Sequence, residues 1–125
     1  MREITITKTI SEELNTVLPD FIRIEEPQNT TYQKILETFV DKGEASALSL
    51  ALEKKNCLLI IDDNNGRKEA KQLGLTFTGT LGILIIAKQR GLIEKISAVI
   101  EDIQKTNFRL SPLLIDEVKR KCNEL

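Results

Sequence analysis

The spacing of apolar residues along the chain predicts short strands that alternate with helices. Residues 4–6 and 21–24 read as strands, and residues 57–61 form an apolar run of strand length. From Asn29 onward the spacing becomes helical, with apolar side chains three or four residues apart at Tyr32, Ile35, Leu36, Phe39 and Val40. Strands and helices in alternation, followed by helices near the end, are typical of an α/β sheet with helical layers.

Capping residues and glycines predict where other helices begin and end. Asp41 stands three residues before Glu44, the spacing of a capping box, at the start of a helix that extends to about residue 55. Gly74 ends a helix predicted over residues 67–73, because glycine readily closes a helix in the left-handed conformation. Similar signals predict a brief helix starting at Thr9 or Ser11, a strand over 76–78, and helices over 79–91, 93–103 and 111–125.

Length and composition fit one globular domain that spans residues 1–125. Of the 125 residues, 41% are hydrophobic and 30% are charged, which is enough apolar material for a core. No apolar run approaches the roughly 20 residues that cross a bilayer, and no cleavable leader is visible, so we expect a cytoplasmic protein without a membrane partner. The net charge of −1 provides no global attraction to nucleic acid, so such contacts depend on local patches.

The chain contains no histidine, and this narrows the chemistry that it can perform. Acyl transfer and RNA cleavage with histidine as the general base are excluded, and ordinary zinc sites are disfavoured. Cys57 and Cys122 lie in apolar patterns without a basic neighbour to activate them, so we expect buried, reduced thiols. The candidate chemistry therefore depends on carboxylates.

Acidic residues stand at two places where a divalent metal ion could bind. Glu44 lies one turn before Leu48 and therefore on the apolar face of its predicted helix. Asp62 and Asp63 end an apolar strand, and open α/β sheets bind ligands beyond the carboxyl ends of their strands. Structural roles stay open for all three, because acids complement the dipole at a helix start and aspartates form turns and caps.

Two basic residues and a threonine are candidate phosphate contacts. Arg67 and Lys68 stand at a predicted helix start, where a positive charge opposes the helix dipole. A phosphate contact beside the acids therefore competes with a solvated or acid-pairing role. Thr80 is most simply the N-cap of the next helix, with a place in the lining of the site as the alternative.

Three segments and the tail of the chain carry a family resemblance. They are Gly43-Glu44-Ala45-x-Ala47-x-x-Leu50-Ala51, Leu59-Ile60-Ile61-Asp62-Asp63-x-x-Gly66-Arg67, Gly79-Thr80-Leu81-Gly82 and Phe108-Arg109-Leu110-Ser111. Together they resemble a PIN domain, in its small VapC-like branch of unassigned function, over about residues 4–125. The resemblance implies a three-layer α/β/α, Rossmann-like sheet that is shortened at its N-terminus, because the family's first strand and its aspartate have no counterpart in this sequence.

The resemblance also implies an activity, a cofactor and a set of site residues. PIN domains are typically metal-dependent ribonucleases, and many are toxins that a cognate antitoxin holds inactive. The implied ligands of Mg²⁺ or Mn²⁺ are Glu13, Glu44 and Asp63, with Asp62 as the alternative at the strand end. Such hard ions take oxygen ligands and can activate water without histidine. Because one family acid is missing, we expect weak or absent metal binding, and Glu13 is also explained as part of a solvated helix face.

Two functions from different classes stay open on these grounds. The first is a Mg²⁺- or Mn²⁺-dependent ribonuclease with an incomplete acidic site and RNA as its substrate. The second is a catalytically inactive, truncated PIN-fold protein that acts through protein–protein contacts, for example with an antitoxin-like partner. Since a missing central strand exposes an unpaired edge, we also expect a homodimer. A response-regulator phosphoacceptor fits poorly, because no strand-end lysine follows the acid pair.

Overall fold

The computed structural model describes residues 3–108 and 110–124, and the chain divides into two compact units. The first unit comprises residues 1–78 and the second comprises residues 79–125. Each unit has its own cluster of buried apolar side chains. No helix within the described residues is long and apolar enough to cross a membrane. The predicted family match at Arg109 and the predicted helix end at Leu125 lie outside the described residues.

In the first unit, strands alternate with helices as the sequence predicts. The elements are β1 (Ile4–Thr7), α1 (Lys8–Leu14), β2 (Ile22–Glu25), α2 (Thr30–Leu36), α3 (Lys42–Glu53), β3 (Leu59–Ile60), α4 (Asn64–Gln72) and β4 (Phe77–Thr78). Strand β1 pairs with β2 and β3 pairs with β4, both in parallel. The α/β class is confirmed. The described strands form two separate pairs instead of one sheet, and no backbone hydrogen bonds between described residues pair β1 with β3. Helix α3 packs against both of these strands.

Strand β3 is shorter than the apolar run that predicts it. Asn56 has a positive φ of 59°, so the chain is still turning just before Cys57. The amide of Leu59 donates to the carbonyl of Thr76 at 2.9 Å, and the amide of Ile61 donates to that of Thr78 at 2.8 Å. Since β4 offers only two residues for pairing, the predicted strand over residues 57–61 is too long.

The core of the first unit forms around α3. Ala45 and Leu48 are completely buried on this helix, which packs against α2. Only part of the apolar stripe of α2 shares this burial. Leu36 and Val40 are buried, whereas the other members are more than half exposed: Tyr32 (51%), Ile35 (55%) and Phe39 (56%). A helix is correctly predicted here, but it ends at Leu36, so Phe39 and Val40 of the predicted stripe lie in the turn that follows it.

In the described part of the second unit, three helices pack against one another: α5 (Thr80–Gln89), α6 (Ile96–Gln104) and α7 (Pro112–Lys121). Its buried apolar cluster consists of Ile96, Ile100, Val118 and Cys122. Ser111 caps α7 as predicted, since its hydroxyl accepts from the Leu114 amide at 3.2 Å. The predicted cap at Thr80 is wrong: Gly79 is the N-cap of α5 and Thr80 is the first helical residue. Both cysteines are free thiols, with Cys122 buried and Cys57 half-buried.

The Glu124 carboxylate caps α6 by accepting hydrogen bonds from the backbone amides at the start of that helix. The carboxylate accepts from the amides of Ile96 at 2.7 Å and Ser97 at 3.1 Å, and from the Ser97 hydroxyl at 2.9 Å. The Lys88 ammonium lies 3.3 Å away. These hydrogen bonds, led by that of Ile96, lower the pKa of Glu124 to about 2. Since the N-cap residue Lys95 makes no side-chain cap, Glu124 satisfies amides that every helix start leaves free.

Candidate acidic metal site

The start of α3 fixes the position of Glu44. Asp41 is the N-cap of this helix, and its Oδ1 accepts from the Glu44 amide at 2.9 Å. The cap predicted from the spacing is therefore confirmed. Glu44 falls in the first turn, one turn before the completely buried Leu48, and is itself half-buried. A carboxylate is thus held at the rim of the apolar core.

Glu44 lies in a field of negative charge. Its pKa rises from 4.5 to about 7, mainly because burial disfavours the charged form, and further because the carboxylates of Asp41 and Asp63 repel a charge there. Acids from two different helix starts therefore act on Glu44. A divalent cation would relieve this repulsion, which is the environment that hard metal ions favour.

Asp63 combines a capping role with its place beside Glu44. It is the N-cap of α4, and its Oδ2 accepts from the Gly66 amide at 2.9 Å. Helix α4 therefore begins at Asn64, three residues before the predicted start at Arg67. A carboxylate offers about four lone-pair sites, so capping leaves capacity for a further ligand. Both adjacent aspartates are exposed, and Asp63 is one of the two acids that raise the pKa of Glu44, while the choice between Asp62 and Asp63 as strand-end ligand stays a prediction.

Glu13 reaches the same helix start from α1. A Cβ atom built on Gly43 would lie 2.8 and 2.9 Å from the two carboxylate oxygens of Glu13. The Glu13 carboxylate is therefore packed against the residue that directly precedes Glu44. Glu13 therefore approaches the start of α3, and Asp63 acts on Glu44, while the role of the three acids as metal ligands stays a prediction.

A buried pair of hydroxyls ties α1 to α3, and sequence reasoning missed it. Thr7 and Ser46 are 2% and 0% exposed, and their Oγ atoms lie 2.6 Å apart. Ser46 donates to the carbonyl of Gly43 at 2.6 Å, so Thr7 donates to Ser46. Thr7 also accepts from the Ile10 amide at 3.2 Å and caps α1, which corrects the predicted start at Thr9 or Ser11. A threonine directly after a strand was the available signal.

The predicted phosphate contacts have different surroundings. The guanidinium of Arg67 lies 5.3 Å from the centre of the Phe77 ring, a cation–π contact within the first unit. Lys68 is exposed on α4. Thr80 belongs to the second unit, so a place for it beside the acids stays a prediction.

The donor atoms suit Mg²⁺ or Mn²⁺, but the protein alone does not close around an ion. Within residues 3–108 and 110–124, no three acidic or cysteine side chains are arranged to hold a metal. Mg²⁺ is commonly bound through one or two carboxylates that waters and substrate phosphates complete. The carboxylates of Glu44 and Asp63, with Glu13 nearby, fit such an open site better than a closed cage.

Parallel strand pairs, with acids at strand ends and helix starts, define an α/β protein. The DUF3368 PIN-domain family model matches residues 1–124, and the chain belongs to the PIN-domain family. No curated protein and no solved structure gives a significant match. The family membership confirms the predicted resemblance to a PIN domain. The VapC-like branch and the missing first strand stay predictions.

Proposed function

We propose that this chain is a PIN-type ribonuclease related to VapC toxins, dependent on Mg²⁺ or Mn²⁺, with an acidic site that is incomplete by itself. The observation that supports this function is the crowding of Glu44 by the carboxylates of Asp41 and Asp63. Asp41 belongs to the cap of the same helix as Glu44, whereas Asp63 acts on Glu44 from a different helix start, which a cap does not explain. A cluster that perturbs the pKa of its own member is typical of a functional site.

In this proposal Glu44 and Asp63 bind the ion, and Glu13 supports it from α1. The cap of α4 orients the Asp63 carboxylate itself, and the cap of α3 fixes the backbone that carries Glu44. A bound Mg²⁺ or Mn²⁺ would lower the pKa of a water and neutralise charge on the phosphate. Arg67, held against Phe77, is the proposed contact to the RNA backbone, with Lys68 beside it as a solvated charge.

An RNA-cleavage assay on the full chain with Mn²⁺, Mg²⁺ or a chelator tests the proposal. We expect slow cleavage that requires the ion, because the carboxylates provide few protein ligands. Glu44→Gln and Asp63→Asn should abolish it, and Glu13→Gln should weaken it. Glu12→Gln is the matched control, since Glu12 is an exposed neighbour on the same helix. Cleavage that persists in the chelator, or in both Glu44→Gln and Asp63→Asn, contradicts the proposal.

A second candidate function is a catalytically inactive PIN-fold protein that acts through protein contacts. The exposed apolar side chains of Tyr32 and Ile35 on α2, and of Phe39 in the turn after it, favour this function, because apolar surface of this kind is costly to leave in water and marks many interaction sites. The partner would be a second copy of the chain or an antitoxin-like protein. Absence of metal-dependent cleavage, combined with self-association that Ile35→Glu disrupts, would favour this function over the nuclease.

A further inference from the structure

Strand β2 has an outer edge, the side turned away from β1, that no strand covers within the described residues. The Ile22 amide donates to the carbonyl of Pro19 at 3.1 Å, so it does not pair with β1. Because the backbone amides of a strand point alternately to its two sides, the Ile24 amide also points to the outer edge. An uncovered edge of this kind offers hydrogen-bond donors and acceptors to another strand.

The two faces of the β1–β2 pair differ in chemistry. Ile22 and Ile24 of β2 lie beside Ile4 and Ile6 of β1, so one face consists of four isoleucines. Ile24, nearest the outer edge, is 51% exposed. Thr7 lies on the opposite face, which packs against α3. A further strand beside β2 would extend the isoleucine face and remove part of Ile24 from water.

The charged residues of β2 make the outer edge complementary to itself. Arg23 and Glu25 stand on either side of Ile24 and point to the same face of the sheet. Each already has an ion-pair partner within the chain: Arg23 lies 2.8 Å from Glu3, and Glu25 lies 2.9 Å from Lys54. A strand that reads positive, apolar, negative matches a second copy of itself that runs in the opposite direction. Opposite charges then face each other at both positions, and the four charges on each side of the junction alternate in sign.

We propose that the outer edge of β2 binds β2 of a second copy of this chain, antiparallel, with Ile24 of both copies on the two-fold axis. The two Ile24 residues exchange a pair of backbone hydrogen bonds, and Arg23 of each copy faces Glu25 of the other. Registers centred on Arg23 or on Glu25 place like charges opposite each other, which is unfavourable. The product is a four-stranded sheet with an isologous interface, and its isoleucine face is continuous across both copies. This association does not depend on the proposed nuclease function.

Charge reversal tests the register through the mass of the full chain in sedimentation equilibrium. Every chain in this test carries Ile35→Glu, so that contact through α2 adds nothing to the mass. Arg23→Glu should weaken the association about tenfold, because two like-charged pairs replace two ion pairs. A mixture of the Arg23→Glu chain and a Glu25→Arg chain should associate again, since opposite charges then face each other at both positions. Lys105→Glu is the matched control, because it reverses an exposed charge in the second unit.

A disulfide tests which residue lies on the axis. Directly opposite residues of a hydrogen-bonded antiparallel pair have Cα atoms about 5.5 Å apart, which a disulfide can span. Ile24→Cys should therefore cross-link to its second copy under mild oxidation, as a dimer on a non-reducing gel. Ile22→Cys is the matched control on the same face. Its counterpart is displaced by four residues, on the order of 13 Å, so it should stay uncross-linked. Wild type, with Cys57 and Cys122, sets the background.

Three results would overturn the proposal. They are a monomer at every concentration in the Ile35→Glu chain, association that Arg23→Glu leaves unchanged, and cross-linking of Ile22→Cys as fast as that of Ile24→Cys. Circular dichroism of each charge variant shows whether it is folded, and little change is expected because exposed ion pairs contribute little stability. The cross-link requires no charge variant, so it decides the proposal even where Arg23→Glu lowers the melting temperature.

Discussion

The free energy of unfolding should fall as the pH rises from about 4.5 to about 7, and Glu44 should be the cause. The pKa of Glu44 is raised from 4.5 to about 7 in the folded chain, first by burial and then by Asp41 and Asp63. Between these two pH values the folded state holds a proton that the unfolded state has lost. Protonation of Glu44 therefore stabilises the fold fully below pH 4.5, and this contribution is lost as the pH passes through about 7.

The size of the effect follows from the shift and from the surroundings of Glu44. A shift of this size corresponds to about 3.4 kcal/mol at most, at 1.36 kcal/mol for each pKa unit. Glu44 is only half-buried, so solvent screening reduces the expected change to about 1 to 2 kcal/mol. The chain has no histidine, and the window in which Glu124 titrates, between about 2 and 4.5, lies lower. Few other groups therefore obscure the measurement.

Urea unfolding followed by circular dichroism at about pH 5 and about pH 7.5 provides the measurement. Wild type should lose about 1 to 2 kcal/mol between the two conditions. Glu44→Gln, which has no ionisable group at residue 44, should lose little, while Glu12→Gln should behave like wild type. Equal stability of wild type at both pH values, or the same loss in Glu44→Gln, would refute the explanation that burial and neighbouring carboxylates raise the pKa of Glu44.

Three further outcomes follow from other parts of the structure. Glu124→Gln should destabilise the second unit above pH 4.5 and have little effect near pH 2. The lowered pKa of Glu124 contributes stability that is lost as the pH falls from 4.5 through about 2. Thermal unfolding measured against pH tests this, and a change that is independent of pH would contradict it. Gly66→Ala should cost about 1 to 3 kcal/mol by overpacking against Ile61, and a melting temperature equal to that of wild type would show that the core has room. The chain should self-associate through α2, so light scattering should report a mass that rises with concentration, and a monomer at every concentration would argue against the interface.

Local signals predicted the elements of this chain well, because caps and periodicity act within a few residues. The predicted N-caps Asp41 and Ser111 do cap their helices, and Gly74 ends its helix with a positive φ, as predicted. The extent of burial could not be predicted in this way. Ile35 and Leu36 belong to the same apolar stripe, but Ile35 is exposed and Leu36 is buried. Which of them is buried depends on the element that packs against α2, and that is a property of the tertiary structure.

The candidate site was predictable as a set of residue types and not as a geometry. The position of Glu44 on the apolar face of its helix identified it as a candidate, but nothing local indicates that Asp63 alters its pKa, since the two residues are far apart in sequence. The contact of Glu13 with Gly43 depends on the Thr7–Ser46 pair, whose members are 39 residues apart. Small polar residues carry little periodic signal, so their pairing becomes visible only in three dimensions.

The separation of the strands into two pairs has a consequence for how the first unit opens. Each pair joins residues that are close along the chain, and within the described residues no backbone hydrogen bond links β1 to β3. Helix α3 packs against β1 and β3, and this packing holds the two strand pairs together. Amide hydrogens of the β1–β2 pair and of the β3–β4 pair should therefore exchange with solvent through separate local openings, whereas those in the middle of α3 should exchange only when the whole unit unfolds.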